Sequence, residues 1–180
     1  MGEHLLFVNN RMEIIREFLE AMEGFGCGYE IDATDSGTEA VKLLEEKKYK
    51  VVVTGINLST YGGAKLIEYL NQNLPHTVCI VYTRRIEPAY LKLLVNERRV
   101  FRIFQKPTDY KTLYEAIQDG FSYYGSEEAK RQERKGMEQE IQKRLEACQE
   151  LQETLKPHAE EKEELMAFMQ GMLGAVAHKW

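Results

Sequence analysis

Short apolar runs in this chain end in residues whose side chains could do chemistry. HLLFV runs into Asn9 and Asn10, VVVT into Gly55, VCIVY into Thr83 and Arg84, and VFRIFQ into Lys106 and Pro107. The set offers two amides, a hydroxyl and one or two cations. It contains no carboxylate, thiol or imidazole. Its formal charge is +1 from Lys106, or +2 if Arg84 turns inward. Lys106, Arg84, Thr83 and the two Asn amides could together hold an anion. A plainer reading stands beside it: Thr83 and Lys106 persist for packing and hydrogen bonding, and Asn9–Asn10 are turn residues at a strand end. Cys27, Cys79 and Cys148 are odd in number and far apart. They read as reduced thiols and give no metal-ligand spacing.

These residues depend on the elements that carry them. His4–Val8, Tyr29–Ala33, Val51–Val53, Thr77–Tyr82 and Val100–Phe104 are short apolar strand candidates. Between them, apolar residues recur at helical spacing over Met12–Met22, after Ser36, over Gly62–Asn71, from Pro88 to Val95, and over Asp109–Phe121. Ser36-Gly-Thr-Glu39 has the form of a capping box, and Asp109 is placed to cap the last of these helices. Val51-Val-Val53 has no polar face, which suits a strand covered on both sides. Strand and helix alternate five times, so the expected fold is a doubly wound, five-stranded parallel sheet of (βα)5, flavodoxin-like type. In such a sheet the ligand site lies at the carboxyl ends of the strands. Those ends carry Asn9, Asn10, Gly55, Thr83, Arg84 and Lys106.

Residues 1–125 form this first domain, and residues 126–180 have a different texture. The second segment lacks Asp and Tyr and is dense in Glu, Lys, Arg and Gln. Ile141, Cys148, Leu155, Met169 and Val176 fall at heptad position a; Met137, Leu151, Leu165 and Met172 fall at d. Arg144, His158 and Lys162 interrupt the seam. So narrow an apolar stripe needs a partner helix to bury it, which predicts a two-stranded coiled coil through residues 137–178. A solitary charged helix is the alternative. Pro157 removes an intrahelical hydrogen bond, so a kink or break is expected near Lys156. Gly120 and Gly125 suggest a break before the segment, with Ser126 able to cap a new helix.

Composition excludes several classes. Apolar residues make up 43%, enough for one packed core, and Gly and Pro total only 13 and 4. The net charge of −5 gives no basic surplus for nucleic acid. No apolar run is long enough to span a membrane, and the N-terminus does not resemble a secretory signal. A cytoplasmic location is expected.

Over about residues 4–122 the sequence resembles the receiver domain of two-component response regulators. The resemblance rests on LLFVNN, VVVTGINLSTYGG, IVYT and VFRIFQKPTD, in that order and at the family's spacing. It implies a site of known type, and the departures from it are informative. The acidic pair that holds Mg²⁺ is matched by Asn9 and Asn10, and the phosphate-accepting Asp by Gly55. The phosphoryl-contacting Thr and Lys are matched by Thr83 and Lys106. Arg84 stands where a small residue is usual, and Ile103 where a switching aromatic is. Mg²⁺ usually needs one or two carboxylates, so its binding is expected to be lost. Glycine offers no nucleophile. Thr54 points to the opposite face. Asp32 and Asp35 belong to the second strand end, and Asp109 and Asp119 to the last helix, so none should substitute. The domain reads as a pseudo-receiver, without cofactor or metal.

The final residues, MQGMLGAVAHKW, resemble the phosphoacceptor box that opens the dimerisation helix of sensor histidine kinases. Met169, Met172, Gly174, Ala177, His178 and Trp180 carry that likeness. It implies that His178 is a phosphoacceptor and that the chain belongs to a longer kinase. An ordinary coiled-coil end with a solvated His178 is the alternative. The chain itself has no Gly-rich phosphate loop, so it is not expected to be an enzyme. Together these readings give a phosphorelay input module: a non-phosphorylatable receiver regulating a histidine kinase through a dimeric coiled coil. Its partners would be a second copy of itself and other two-component proteins, with neither nucleic acid nor membrane. The alternative is a stand-alone adaptor that binds another signalling protein through the receiver surface.

Overall fold

A computed structural model describes residues 2–177 apart from 59, 60, 87, 89, 90, 93 and 95–99, without the side chains of 157–160 and 173–177. The chain divides into two units, Met1–Ala129 and Lys130–Trp180. In the first, β1 (His4–Val8), α1 (Met12–Gly24), β2 (Glu30–Thr34), α2 (Gly37–Glu46), β3 (Val51–Thr54), α3 (Gly63–Asn73), β4 (Val78–Thr83) and β5 (Arg102–Gln105) alternate as expected. All pairings are parallel, in the order β2-β1-β3-β4-β5. Pro88, Leu91, Lys92 and Leu94 are helical. The rest of the helix expected from Pro88 to Val95 lies outside the described residues.

Period-two alternation splits the core between the sheet's two faces. Leu5, Phe7, Val51, Val53 and Ile80 pack with Ile15, Phe18 and Met22 of α1. Leu6, Val8, Val52 and Val81 pack against Ala40 and Leu44 of α2 and Leu66, Ile67 and Leu70 of α3. The three valines of β3 are fully buried, as their lack of a polar face predicts. Each such side chain contributes about 1.5–3 kcal/mol. Ser36 caps α2 by accepting the Glu39 N–H at 3.3 Å, one half of the predicted capping box, while the Ser36 N–H donates to Thr34 Oγ1 at 3.2 Å.

The last helix, α4 (Tyr110–Ala177), is much longer than the sequence pattern predicts. Asp109 starts it by accepting the Lys111 N–H at 3.1 Å. Leu113, Ala116, Ile117, Phe121 and Tyr124 then form one buried stripe on the face shared with α1. Neither glycine breaks it. A Cβ at Gly120 would sit 3.2 Å from Val78 Cγ1 and 3.4 Å from Val51 Cγ2, so this glycine lets the helix lie close on the sheet. The Ser126 hydroxyl donates back to the Tyr123 carbonyl at 2.8 Å instead of capping a new helix. The break expected near Lys156 is also absent, since α4 continues through Pro157.

In the second unit the described heptad side chains are bare, from 52% exposed at Met169 to 66% at Ile141. Ion pairs along the helix, such as Arg144–Glu140 at 3.0 Å, contribute only a few tenths of a kcal/mol, about 0.3–0.5 each. No described helix is long and apolar enough to cross a membrane.

One polar anchor lies beneath the sheet edge. The Tyr49 hydroxyl, on a fully buried ring, donates to Asp32 Oδ2 at 2.7 Å, and Lys47 reaches the same oxygen at 3.0 Å. Burial pushes the Asp32 carboxyl up, but the Tyr49 and Lys47 contacts outweigh it, and its pKa is lowered overall. A carboxyl with a depressed folded-state pKa stabilises the fold above its unfolded pKa of about 3.9 and loses that contribution as pH falls through the folded value. Tyr49→Phe is therefore expected to cost about 1–3 kcal/mol in urea unfolding at pH 7 and much less near pH 2.

Candidate functional site

The aligned register brings the strand ends to one level. Val8 pairs with Thr54, Thr54 with Val81, and Thr83 with Gln105. One further rung of backbone bonds then fixes the residues that follow. Asn9 N donates to Thr34 O at 3.1 Å, Gly55 N to Val8 O at 3.0 Å, and Lys106 N to Thr83 O at 2.8 Å. Three candidate residues are thus held by the sheet itself.

Asn9, Asn10, Gly55, Thr83, Arg84 and Lys106 all line one cleft of about 180 Å³. Arg11, Asn57 and Tyr82 line it as well, and no sequence pattern points to them. Arg11 and Asn57 sit in turns, where no periodicity flags a residue. Their only sequence signal is adjacency, Arg11 to Asn10 and Asn57 two residues past Gly55. Among the described residues no carboxylate lines this cleft. Asp32 is bound to Tyr49, and Asp119 pairs with Arg102 at 2.8 Å. Asp109 caps α4. Among the described residues there is also no cluster of His, Cys, Asp and Glu that could hold a metal ion.

The polar groups have defined tasks. Asn9 is buried, and its Oδ1 accepts the Arg11 N–H at 3.3 Å. The Thr83 hydroxyl donates to the Arg85 carbonyl at 3.1 Å. Its hydrogen is therefore engaged in the loop after β4 and is not offered to the cleft. Thr54 is fully buried and donates to Gly55 O at 3.0 Å. Ile103 is partly buried against the α2–α3 face of the core.

Lys106 is the main charge. Its Nζ lies 4.3 Å from the centre of the Tyr82 ring, a cation–π contact. Among the described residues neither Lys106 nor Arg84 is ion-paired, while Arg11 meets the exposed Glu13 at 3.5 Å. Burial, and then the positive charge of Arg11, push the Lys106 ammonium down to about 8 from its ordinary 10.5, against an opposite pull from Glu17. NMR of the Lys106 side chain should show a midpoint near that value. The sign for stability follows. Between about 8 and 10.5 the unfolded chain holds a proton at this lysine that the folded chain has released. Stability should therefore rise with pH across that window, as a urea series would measure. Lys106→Met should flatten the rise.

The thiols are not part of this site. Cys79 is buried and pushed up to about 12 by burial, and so is inert. Cys148 is exposed on α4. His178 and Trp180 lie outside the described residues.

Residues 7–118 match the family model described as the response regulator receiver domain. The chain is 25% identical over 118 residues to the transcriptional regulatory protein GlrR of Escherichia coli (strain K12), covering 64% of this chain and 26% of that one. QseF of Escherichia coli O157:H7 matches to the same extent. The chain thus spans about a quarter of the length of these curated relatives. Among solved structures, it resembles the signal receiver domain of an HD domain-containing protein from Pseudomonas fluorescens Pf-5, with 21% identity and a TM-score of 0.65 over 70% of this chain and 99% of that one. A CheY-like receiver domain protein from Methanospirillum hungatei JF-1 gives 19% and 0.65 over 71% and 99%. At such identities the structures support the fold alone.

Proposed function

Because the chain belongs to the response regulator receiver family, we propose that it is a two-component input module whose receiver is not phosphorylated. The observation that carries this reading is the cleft itself. Four strand ends converge as the family's fold requires, yet among the described residues the lining contains no carboxylate. The residue that follows β3 at the cleft is Gly55, which offers no oxygen nucleophile. The donor set does not suit Mg²⁺, since amide oxygens beside Lys106 and Arg84 replace the anionic ligands that the ion needs. Signalling through this domain therefore proceeds by contacts with other proteins, without a covalent change at residue 55.

The second unit supports an output by dimerisation. Its described a and d side chains are exposed along one seam, and burying them takes a partner helix. A parallel pair places both copies of His178 at the same end, as a symmetric dimer requires. Receiver contacts would then bias the register of the seam, whose interruptions at Arg144 and Lys162 lower its stability. The chain carries no kinase activity of its own. With respect to the curated relatives, their transcriptional role belongs to much longer proteins, of which the match covers 26%, and is not carried over.

Two measurements test this. The full chain should sediment as a dimer and crosslink through Cys148 under mild oxidation, while Leu151→Lys with Leu165→Lys should be monomeric. A monomeric wild-type chain that forms no crosslink would refute the dimer. Incubation with ATP and the isolated ATP-binding domain of a sensor histidine kinase should label the wild-type chain but not His178→Gln. Absence of labelling would favour the adaptor alternative, in which the receiver surface docks on another regulator with no kinase relation.

A further inference from the structure

We propose that the strand-end cleft is a reversible binding site for a small phosphate oxyanion, free phosphate or a phosphomonoester, held without metal. This rests on the reading that Gly55 leaves the cleft without a phosphorylated residue. Cations from separate elements meet there: Arg11 from the turn before α1, Arg84 from the end of β4 and Lys106 from the end of β5. Among the described residues no lining side chain is anionic. Lys106 and Arg84 have no counter-ion among the described residues, and a bound anion would supply one. Arg11 is also the N-cap position of α1, whose first turn has no side-chain cap, so the positive end of a 13-residue helix lies at the cleft. Neutral donors complete the set. The Asn9 oxygen is committed to the Arg11 N–H, which leaves its NH₂ as a donor, and Asn10 and Asn57 add two more amides. Lys106 is steered from one side by its contact with the Tyr82 ring. A cleft of about 180 Å³ has room for a tetrahedral oxyanion with its small substituent, not for a nucleotide.

The test is a titration of the full chain with inorganic phosphate at constant ionic strength, followed by amide NMR. Saturable shifts are expected at Asn10, Gly55 and Lys106, with half-saturation at about 1 mM or below. Lys106→Gln and Arg84→Gln should each weaken binding by about tenfold. Glycerol phosphate in a parallel arm distinguishes an ester from the free ion: tighter binding of the ester assigns the ligand to the first class, equal or weaker binding to the second. An absence of saturable shifts at about 10 mM phosphate overturns the proposal, as does an equal response to chloride or affinity unchanged in both variants. The melting temperature of each variant, measured without phosphate, separates lost binding from lost fold. Should a variant unfold, Lys106→Arg, which keeps the charge, must retain binding. Intact mass after dialysis keeps the two readings apart: a persistent added phosphoryl group sinks the non-phosphorylated receiver, while reversible shifts with unchanged mass support both.

Discussion

Acetyl phosphate with Mg²⁺ is expected to leave the mass of the wild-type chain unchanged and to add one phosphoryl group to the variant Asn9→Asp/Asn10→Asp/Gly55→Asp. The structure permits this gain. A Cβ at Gly55 would meet Tyr82 O at 3.7 Å, Leu58 Cδ2 at 3.8 Å and Val8 O at 4.0 Å, which are ordinary contacts. Gly55 is not among the residues with positive φ, so no left-handed backbone requires glycine here. The loss of the carboxylate is therefore a chemical difference and not a steric one. Three new carboxylates beside Lys106 bring the formal charge near the cleft down by three, which suits a hard divalent cation. A carboxylate oxygen introduced by Gly55→Asp could then attack phosphorus and expel acetate, leaving one acyl phosphate on the chain. Gly55→Asp alone should pair with Lys106 and remain unlabelled, because the metal ligands are still amides. The effect is all-or-none by mass spectrometry. Labelling of the wild-type chain on any side chain of the cleft would end the pseudo-receiver reading. A folded triple variant that stays unlabelled would mean that Arg84 or the neighbouring loops, and not the missing carboxylates alone, block the chemistry.

The cleft was legible because parallel topology turns separate stretches of sequence into neighbours. Once the apolar runs are read as parallel strands in a doubly wound sheet, Asn9, Gly55, Thr83 and Lys106 must meet at one edge, and they do. The backbone rung that holds Asn9, Gly55 and Lys106 follows from the same register. The turn residues were not legible. Arg11 and Asn57 obey no periodicity, and strict alternation would assign Tyr82 to the face opposite Thr83, although at a strand end both can border the same opening. The fate of Thr83's proton was also hidden, since the Arg85 carbonyl that takes it belongs to the loop's conformation. The continuity of α4 was not legible either. Gly120 and Gly125 suggest a break locally, and Ser126 could cap a new helix. At Gly120 the reason is tertiary, because a Cβ there would press on the valines of β3 and β4 at 3.2 to 3.4 Å. A local pattern cannot report the shape of a surface assembled from distant strands.

Gly63→Ala is expected to be the most damaging single methyl in the first unit. Gly63 begins α3, and its amide donates to the Ile56 carbonyl at 2.8 Å. A Cβ placed on it would overlap the Gly55 carbonyl oxygen and lie 2.7 Å from Ile56 Cα. Both obstacles are backbone, and they belong to the segment that leaves β3 and carries Gly55 and Asn57 into the cleft. A flexible side chain could swing aside, but this segment is tied to β1 by the bond from Gly55 N to Val8 O. Either the loop or the start of α3 must move, and the Gly63–Ile56 bond breaks with it. Overpacking costs about 1–3 kcal/mol, and the lost hydrogen bond adds about 1. The sum, about 3 kcal/mol, is a large part of the 5–15 kcal/mol by which domains are usually stable. Urea unfolding should show it. Gly125→Ala supplies the internal comparison: its Cβ meets nothing within 4 Å and lies inside α4, so it should stabilise by about 0.5–1 kcal/mol. The consequence for the site follows from the same contact. If α3 is displaced, the amide resonances of Gly55 and Asn57 should shift in Gly63→Ala under conditions where it remains folded, while those of Asn9, anchored to β2, should stay in place. A Gly63→Ala chain within 1 kcal/mol of wild type would show that the β3–α3 loop does not fix the floor of the cleft.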